Sequence, residues 1–194
     1  MATQILIPLK HLDAAKRRMH PQIGAEGRRS IMLAMLAHVA AEAVAAGLGP
    51  VALASSEPRA PTIASEHGIG LVDDGGLPWN QGLVHALELL PAAPDAVLFL
   101  AGDLPLVTAD EIQQLAAAVP TRGVAIGRAH DGGTNALGLR PPDGMVPSFG
   151  SPQSARVHAQ LAERNGLEVA VVDLPGIALD VDTPADAERA RLSA

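Results

Sequence analysis

Alternating strand-length and helix-length segments predict an α/β protein, a single three-layer domain over residues 1–194 with a mostly parallel sheet. Three observations carry this. Residues 5–9 and 96–101 are nearly continuous apolar runs, as expected of strands covered on both faces. Between and after them lie stretches of helical period bounded by capping residues. Apolar residues make up 48% of the chain and aromatics only 2%, so its core has to be built from Ala, Val, Leu and Ile.

The elements follow in order. A first strand is expected over 5–9. A long helix rich in Ala, Leu and Met follows over 25–46, with Ile31, Met35, Val39 and Ala43 at i+4 steps on one face and Gly47 ending it. Residues 51–54 and 69–72 read as the second and third strands. Asn80 is a candidate cap for a helix carrying Leu83, Leu87 and Leu90. Residues 96–101 form a buried strand, and Thr108 with Glu111 makes a capping box for a helix running to 119. Further strands are expected at 124–126, 136–139 and 169–172, with a helix over 154–164 between the last two. Thr183 as cap and Pro184 in the first turn open a C-terminal helix. No repeat, linker or low-complexity tract interrupts the chain.

Charge narrows the partners. A net charge of −7 argues against a nucleic-acid binder. The charge is also uneven: six of the fourteen Lys and Arg residues lie in the first 29 positions, against only Asp13 and Glu26. An acidic protein with one basic loop suits a small anionic substrate. The chain has no cysteine, which excludes disulfides, thiolate metal sites and a thiol nucleophile. With no signal-peptide pattern and no apolar run near the roughly 20 residues of a membrane span, a cytoplasmic protein without membrane contact is expected. GxxxxGK[ST], HExxH and GxSxG are absent, and Gly68-Ile69-Gly70 lacks the third glycine of a dinucleotide fingerprint.

Only two lysines occur, Lys10 and Lys16, against twelve arginines, and both fall in the loop after the first strand. Compact ammonium groups at the carboxyl edge of a sheet suit a polyphosphate. A solvated basic loop is the alternative. The 96–101 strand ends in Gly102-Asp103, which places one carboxylate at that edge. Asp180 and Asp182, spaced i, i+2 on an expected strand end, point the same way just before a helix. Three carboxylates suit a divalent cation that prefers oxygen ligands, whereas one alone would read as a turn or helix cap. Three other loops offer backbone or hydroxyl groups to an anion: 73–80 with Gly75 and Gly76, 130–136 with Thr134, and 149–154 with Gly150 and Ser154. Trp79 has two readings, a base-stacking platform or a cover over an apolar edge.

In this order the segments resemble the 2-phospho-L-lactate and phosphoenolpyruvate guanylyltransferases of deazaflavin coenzyme F-420 biosynthesis. The resemblance spans nearly the whole chain. It runs through Ile7-Pro8-Leu9-Lys10, Ala15-Lys16-Arg17-Arg18, Ala101-Gly102-Asp103-Leu104-Pro105-Leu106, Gly132-Gly133-Thr134-Asn135-Ala136-Leu137, Phe149-Gly150, Ser154 with His158, and Leu179-Asp180-Val181-Asp182-Thr183-Pro184. It implies a Rossmann-like nucleotidyltransferase domain with GTP as donor and Mg²⁺ as cofactor. Asp103 and Asp180 would bind the metal, with Asp182 adjacent. Lys10, Lys16 and Arg18 would lie along the triphosphate as catalytic residues. Thr134, Gly150 and Ser154 would bind a small phosphorylated carboxylic acid, and Pro8, Leu9, Gly75, Gly76 and Asn80 the nucleotide. The implied acceptor acid is phosphoenolpyruvate first, then 3-phosphoglycerate or 2-phospho-L-lactate. Oligomerisation is left open. Molybdopterin and sugar-phosphate nucleotidyltransferases are the alternatives within this chemistry. They typically open with a glycine-rich loop, where this chain has Pro8-Leu9-Lys10 and no glycine until Gly24. An inactive nucleotide-binding sensor on the same fold is the alternative outside it.

Overall fold

The computed structural model describes residues 2–14 and 23–190. Its strands are β1 (Thr3–Pro8), β2 (Val51–Ala54), β3 (Gly70–Val72), β4 (Ala96–Leu100), β5 (Gly123–Arg128), β6 (Thr134–Arg140) and β7 (Glu168–Val172). Its helices are α1 (Ala25–Ala45), α2 (Ala60–Glu66), α3 (Trp79–Glu88), α4 (Ala109–Ala118), α5 (Ser154–Arg164), α6 (Pro175–Ala178) and α7 (Pro184–Arg189), with a 3₁₀ turn at Leu12–Ala14. The expected α/β class holds. One seven-stranded sheet runs in the order β3-β2-β1-β4-β6-β5-β7. Within it only β6 is antiparallel to its neighbours, pairing β4 through Leu100↔Ala136 and β5 through Ile126↔Leu137.

Strand period 2 divides the core between the two faces of the sheet. Ile5, Ile7, Leu98 and Leu100 pack with Met35, Leu36 and Val39 of α1, Ile63 of α2, and Ile112 and Leu115 of α4. Leu6, Val97 and Phe99 face the other way, toward Leu83 and Ala86 of α3 and Ala155 and Ala162 of α5. Helices on both faces of a mostly parallel sheet make the three layers.

Several elements depart from the sequence pattern for identifiable reasons. The buried face of α1 is Met32, Met35, Leu36, Val39, Ala40 and Ala43, and Ile31 is only partly buried. Steps of four residues drift about 40° each on a helix of 3.6 residues per turn, so three steps carry Ile31 off the face that Ala43 shares. Asn80 does not cap α3; that position is Pro78, and Asn80 lies inside the first turn. Asp180 and Asp182 lie on no strand but in an irregular segment between α6 and α7. The Thr108–Glu111 capping box on α4 and the Thr183 cap on α7 are as expected, and Asp186 completes a second box at Thr183 by supplying the reciprocal carboxylate. No helix among the described residues is long and apolar enough to cross a membrane.

The sheet order fixes where a ligand can sit. From β1 the chain builds outward through β2 to β3, then returns to place β4 on the other side of β1. The crevice at the carboxyl ends of β1 and β4 is therefore the topological switch point, where open α/β sheets bind ligands.

Candidate active site

A cleft of about 400 Å³ opens at this switch point. Its walls include Pro8 at the end of β1 with Leu9 and Lys10 after it, Gly102 and Asp103 after β4, Thr134 and Asn135 at the start of β6, Gly150, and Asp180 with Asp182. Because β6 runs antiparallel, its first residues meet the carboxyl ends of β1 and β4. This brings together segments more than 170 positions apart.

The carboxylates are set by backbone bonds. Ala101 N–H donates to Asn135 O at 2.8 Å, and Val181 N–H donates to Asp103 O at 3.2 Å. The second bond fastens the irregular α6–α7 segment directly to the β4 turn, with fully buried Val181 between the two acids. Ligand oxygens of Asp103, Asp180 and Asp182 then lie within 4.8 Å of one another. Asn135 Nδ2 donates to Asp180 Oδ1 at 3.1 Å and to Ile177 O at 2.8 Å, orienting that carboxylate. Burial pushes the Asp180 carboxyl above its ordinary range, and neighbouring Asp103 and Asp182 push it further against the opposing Asn135 bond. Three hard oxygen donors crowded together at partial burial fit a divalent cation such as Mg²⁺, whose charge would offset their repulsion.

The loops leaving β1 and β3 are held by side chains of their own. Buried Glu57 accepts from Leu12 N–H at 3.0 Å, and Ser55 Oγ donates to Leu9 O at 2.6 Å, so the chain leaving β1 is pinned to the end of β2. Lys10 Nζ donates to Asp74 Oδ2 at 2.5 Å and to Leu77 O at 2.8 Å. Burial raises the Asp74 carboxyl, but bonds from Lys10, Ser56 and Gly76 N–H outweigh it and hold the group below its ordinary value. Gly75 and Gly76 both adopt positive φ, at 65° and 63°, which lets their N–H groups turn back onto Asp73 and Asp74. Both glycines thus shape the loop behind Lys10 and do not line the cleft.

The remaining expected residues separate in the same way. Pro8, Leu9, Lys10, Thr134 and Gly150 border the cleft beside the three acids. Asn80 instead pairs with the main chain of Phe149, donating from Nδ2 to its O at 3.3 Å and accepting its N–H on Oδ1 at 2.8 Å. Ser154 begins α5 and is buried at 1% exposure, away from the cleft surface. Lys16 and Arg18 lie outside the described residues.

Sequence reasoning singled out Trp79 but not its two aromatic companions, and it gave His158 no role. The chain has one Trp, two Phe and no Tyr, and all three aromatics, Trp79, Phe99 and Phe149, line this one cleft. Phe99 meets Phe149 edge-on at 6.2 Å, and Phe149 meets the His158 ring at 4.9 Å. His158 is fully buried, with Nδ1 2.9 Å from Thr134 Oγ1 and Nε2 accepting Ser148 N–H at 2.8 Å. The only signal available for it in the sequence was its pairing with Ser154 in the family pattern.

Burial lowers the His158 pKa from 6.5 to about 4. The unfolded chain therefore takes up this proton before the folded protein does. The stability of the neutral ring is complete above the unfolded value and is lost as pH falls from 6.5 toward 4. We expect about 2 kcal/mol of that loss between pH 7 and pH 5. Denaturant melts at the two pH values check it, and the same interval in His158→Phe should show a correspondingly smaller drop.

Residues 3–190 match the family described as "Guanylyl transferase CofC like". A phosphoenolpyruvate guanylyltransferase of Sphaerobacter thermophilus is 39% identical, over 97% of this chain and 92% of its own length. Another, from Conexibacter woesei, is 35% identical over 98% of this chain and 88% of its own. Among solved structures, a nucleotidyl transferase from Methanothermobacter thermautotroptrophicus superposes with a TM-score of 0.70 at 16% identity, covering 98% of this chain and 96% of that one.

Proposed function

The chain belongs to the CofC-like guanylyl transferase family, and from that membership we propose that it transfers GMP from GTP to phosphoenolpyruvate with release of pyrophosphate. The observation that carries this reading is the cleft that faces Asp103, Asp180 and Asp182 on one side and Thr134 and Gly150 on another. The relatives named as phosphoenolpyruvate guanylyltransferases support the acceptor acid. With it we place the reaction in coenzyme F-420 biosynthesis.

A phosphate oxygen of the acceptor acid attacks the α-phosphorus of GTP in line; the bond to the bridging oxygen breaks, and pyrophosphate departs with its electron pair. No covalent enzyme intermediate forms, so the chain needs no nucleophile. Its residues act by holding two anions in reach of each other and by matching the charge that moves to the leaving group. Asp103, Asp180 and Asp182 would hold Mg²⁺, which when bound would neutralise phosphate charge. Pro8 and Leu9 form the nucleotide wall. Lys10, tied to Asp74 and Leu77, orders the β3–α3 loop beside it, with Gly75, Gly76 and Asn80 as its frame. Lys16 and Arg18 act on the leaving pyrophosphate. Thr134 and Gly150 receive the acceptor acid.

A pyrophosphate-release screen tests this: GTP, ATP and CTP, each with phosphoenolpyruvate, 3-phosphoglycerate and 2-phospho-L-lactate in the presence of Mg²⁺. GTP with phosphoenolpyruvate should give the highest kcat/KM. Preference for CTP or ATP would move the chain to another nucleotidyltransferase chemistry, and nucleotide binding without release would make it a sensor.

A further inference from the structure

We propose that His158 is the positioning residue of the acceptor-acid site, turning the Thr134 hydroxyl into a dedicated hydrogen-bond donor toward an anionic oxygen in the cleft. The inference rests on the guanylyltransferase reading for the identity of the anion, but its geometry is independent of it.

The direction of each bond follows from what each group can do. The main-chain N–H of Ser148 can only donate, and it donates to Nε2 of His158 at 2.8 Å. Nε2 therefore carries the lone pair, and a neutral ring must carry its single proton on Nδ1. Nδ1 lies 2.9 Å from Thr134 Oγ1, so the ring donates there. A threonine hydroxyl has one proton. With its oxygen accepting from His158, that proton is directed to a different group, and Thr134 borders the cleft. A water-exposed serine or threonine rotor reorients at little cost; this one is biased toward donating before any ligand arrives. Full burial keeps the ring neutral and so preserves the arrangement through the physiological range.

The same ring also fixes the loop next to Thr134. By holding Ser148 N–H it anchors the loop that continues through Phe149, clasped by Asn80, to Gly150. Gly150 has φ of 96°, a conformation that L side chains rarely adopt, and it borders the cleft beside Thr134. One buried imidazole thus joins the first residue of β6 to the 148–150 loop, two segments that form the acceptor side of the cleft. Without these two bonds, both segments would keep their sequence but lose their fixed direction.

Two measurements decide this. Nitrogen-15 NMR of the wild-type protein reads the His158 tautomer directly: a proton on Nδ1 supports the inference, and a proton on Nε2 overturns it whether or not the enzyme turns over. Steady-state kinetics then compare His158→Phe, which keeps a ring against Phe149 but no hydrogen bonds, with Thr134→Val and the double variant. The KM for phosphoenolpyruvate should rise roughly tenfold or more in each, the worth of one hydrogen bond to a charged oxygen, with the KM for GTP nearly unchanged. The double variant should be little worse than either single one, because the two residues act in series. Additive losses, or an equal rise in the KM for GTP, would reduce His158 to a packing residue. If His158→Phe fails to fold, Thr134→Ser against Thr134→Val provides the kinetic contrast, with only serine expected to retain acceptor affinity. A wild-type protein that releases no pyrophosphate with any acceptor acid defeats the functional reading alone and leaves the tautomer result standing.

Discussion

Asp180→Asn should lose roughly 10²-fold or more in turnover, the scale of one electrostatic contact to a transition state, while raising the thermal midpoint of the metal-free protein. Both effects follow from the same crowding. Asp180 is held partly buried with Asp103 and Asp182 close by, and both neighbours make its charged form less favourable. An asparagine keeps the shape of the side chain and an oxygen for Asn135 Nδ2, but it removes one charge from the cluster. A ligand that binds only the folded state raises its stability, so Mg²⁺ should raise the wild-type midpoint and raise that of the variant much less. Melting curves with and without Mg²⁺, beside the turnover rate, check all three statements. A near wild-type rate at saturating Mg²⁺ would take Asp180 out of the mechanism, and a lower metal-free midpoint would show that its charge is structural.

Phe99→Ala should destabilise the fold by about 3–5 kcal/mol, the usual cost of emptying a buried phenylalanine site. For a chain of this size that lowers the thermal midpoint by something on the order of 10 °C. Phe99 is fully buried on β4 and supports Phe149 edge-on, and Phe149 in turn packs on His158. The cavity would therefore open beneath the side of the cleft proposed for the acceptor acid, and the KM for phosphoenolpyruvate should rise more than that for GTP. Phe99→Leu should recover most of the stability. A midpoint for Phe99→Ala within about 2 °C of wild type would show that the site collapses around the lost ring.

Much of this was legible in the sequence because the signals were local. The apolar run of β4 leading into Gly102-Asp103, the capping box at Thr108, the cap at Thr183, and the pair Asp180 and Asp182 all announce themselves within a few residues. Elements too short for a period did not: α6 has four residues, and α2 has seven with Pro61 in its first turn. The antiparallel direction of β6 was also hidden, since an alternating or buried strand reads the same in either direction. Asn80 was misplaced for a related reason. Its type favours a cap, but its amide matches both groups of one distant main-chain unit, that of Phe149, and no local pattern records a partner 69 residues away. The contact between Thr134 and His158 spans 24 residues and two different elements, and only the folded chain brings them together.

The concentration of aromatic side chains at the cleft has an optical consequence. With one tryptophan and no tyrosine, the near-ultraviolet emission of this protein arises from a single indole. That indole, Trp79, borders the cleft at 37% exposure, and the Lys10 ammonium stands 6.0 Å from its ring centre. A cation so near, and a ring so open to water, make the colour and yield of its emission sensitive to whatever enters beside it. Arrival of the proposed nucleotide and departure of the proposed product should each be readable as light from the unlabelled chain.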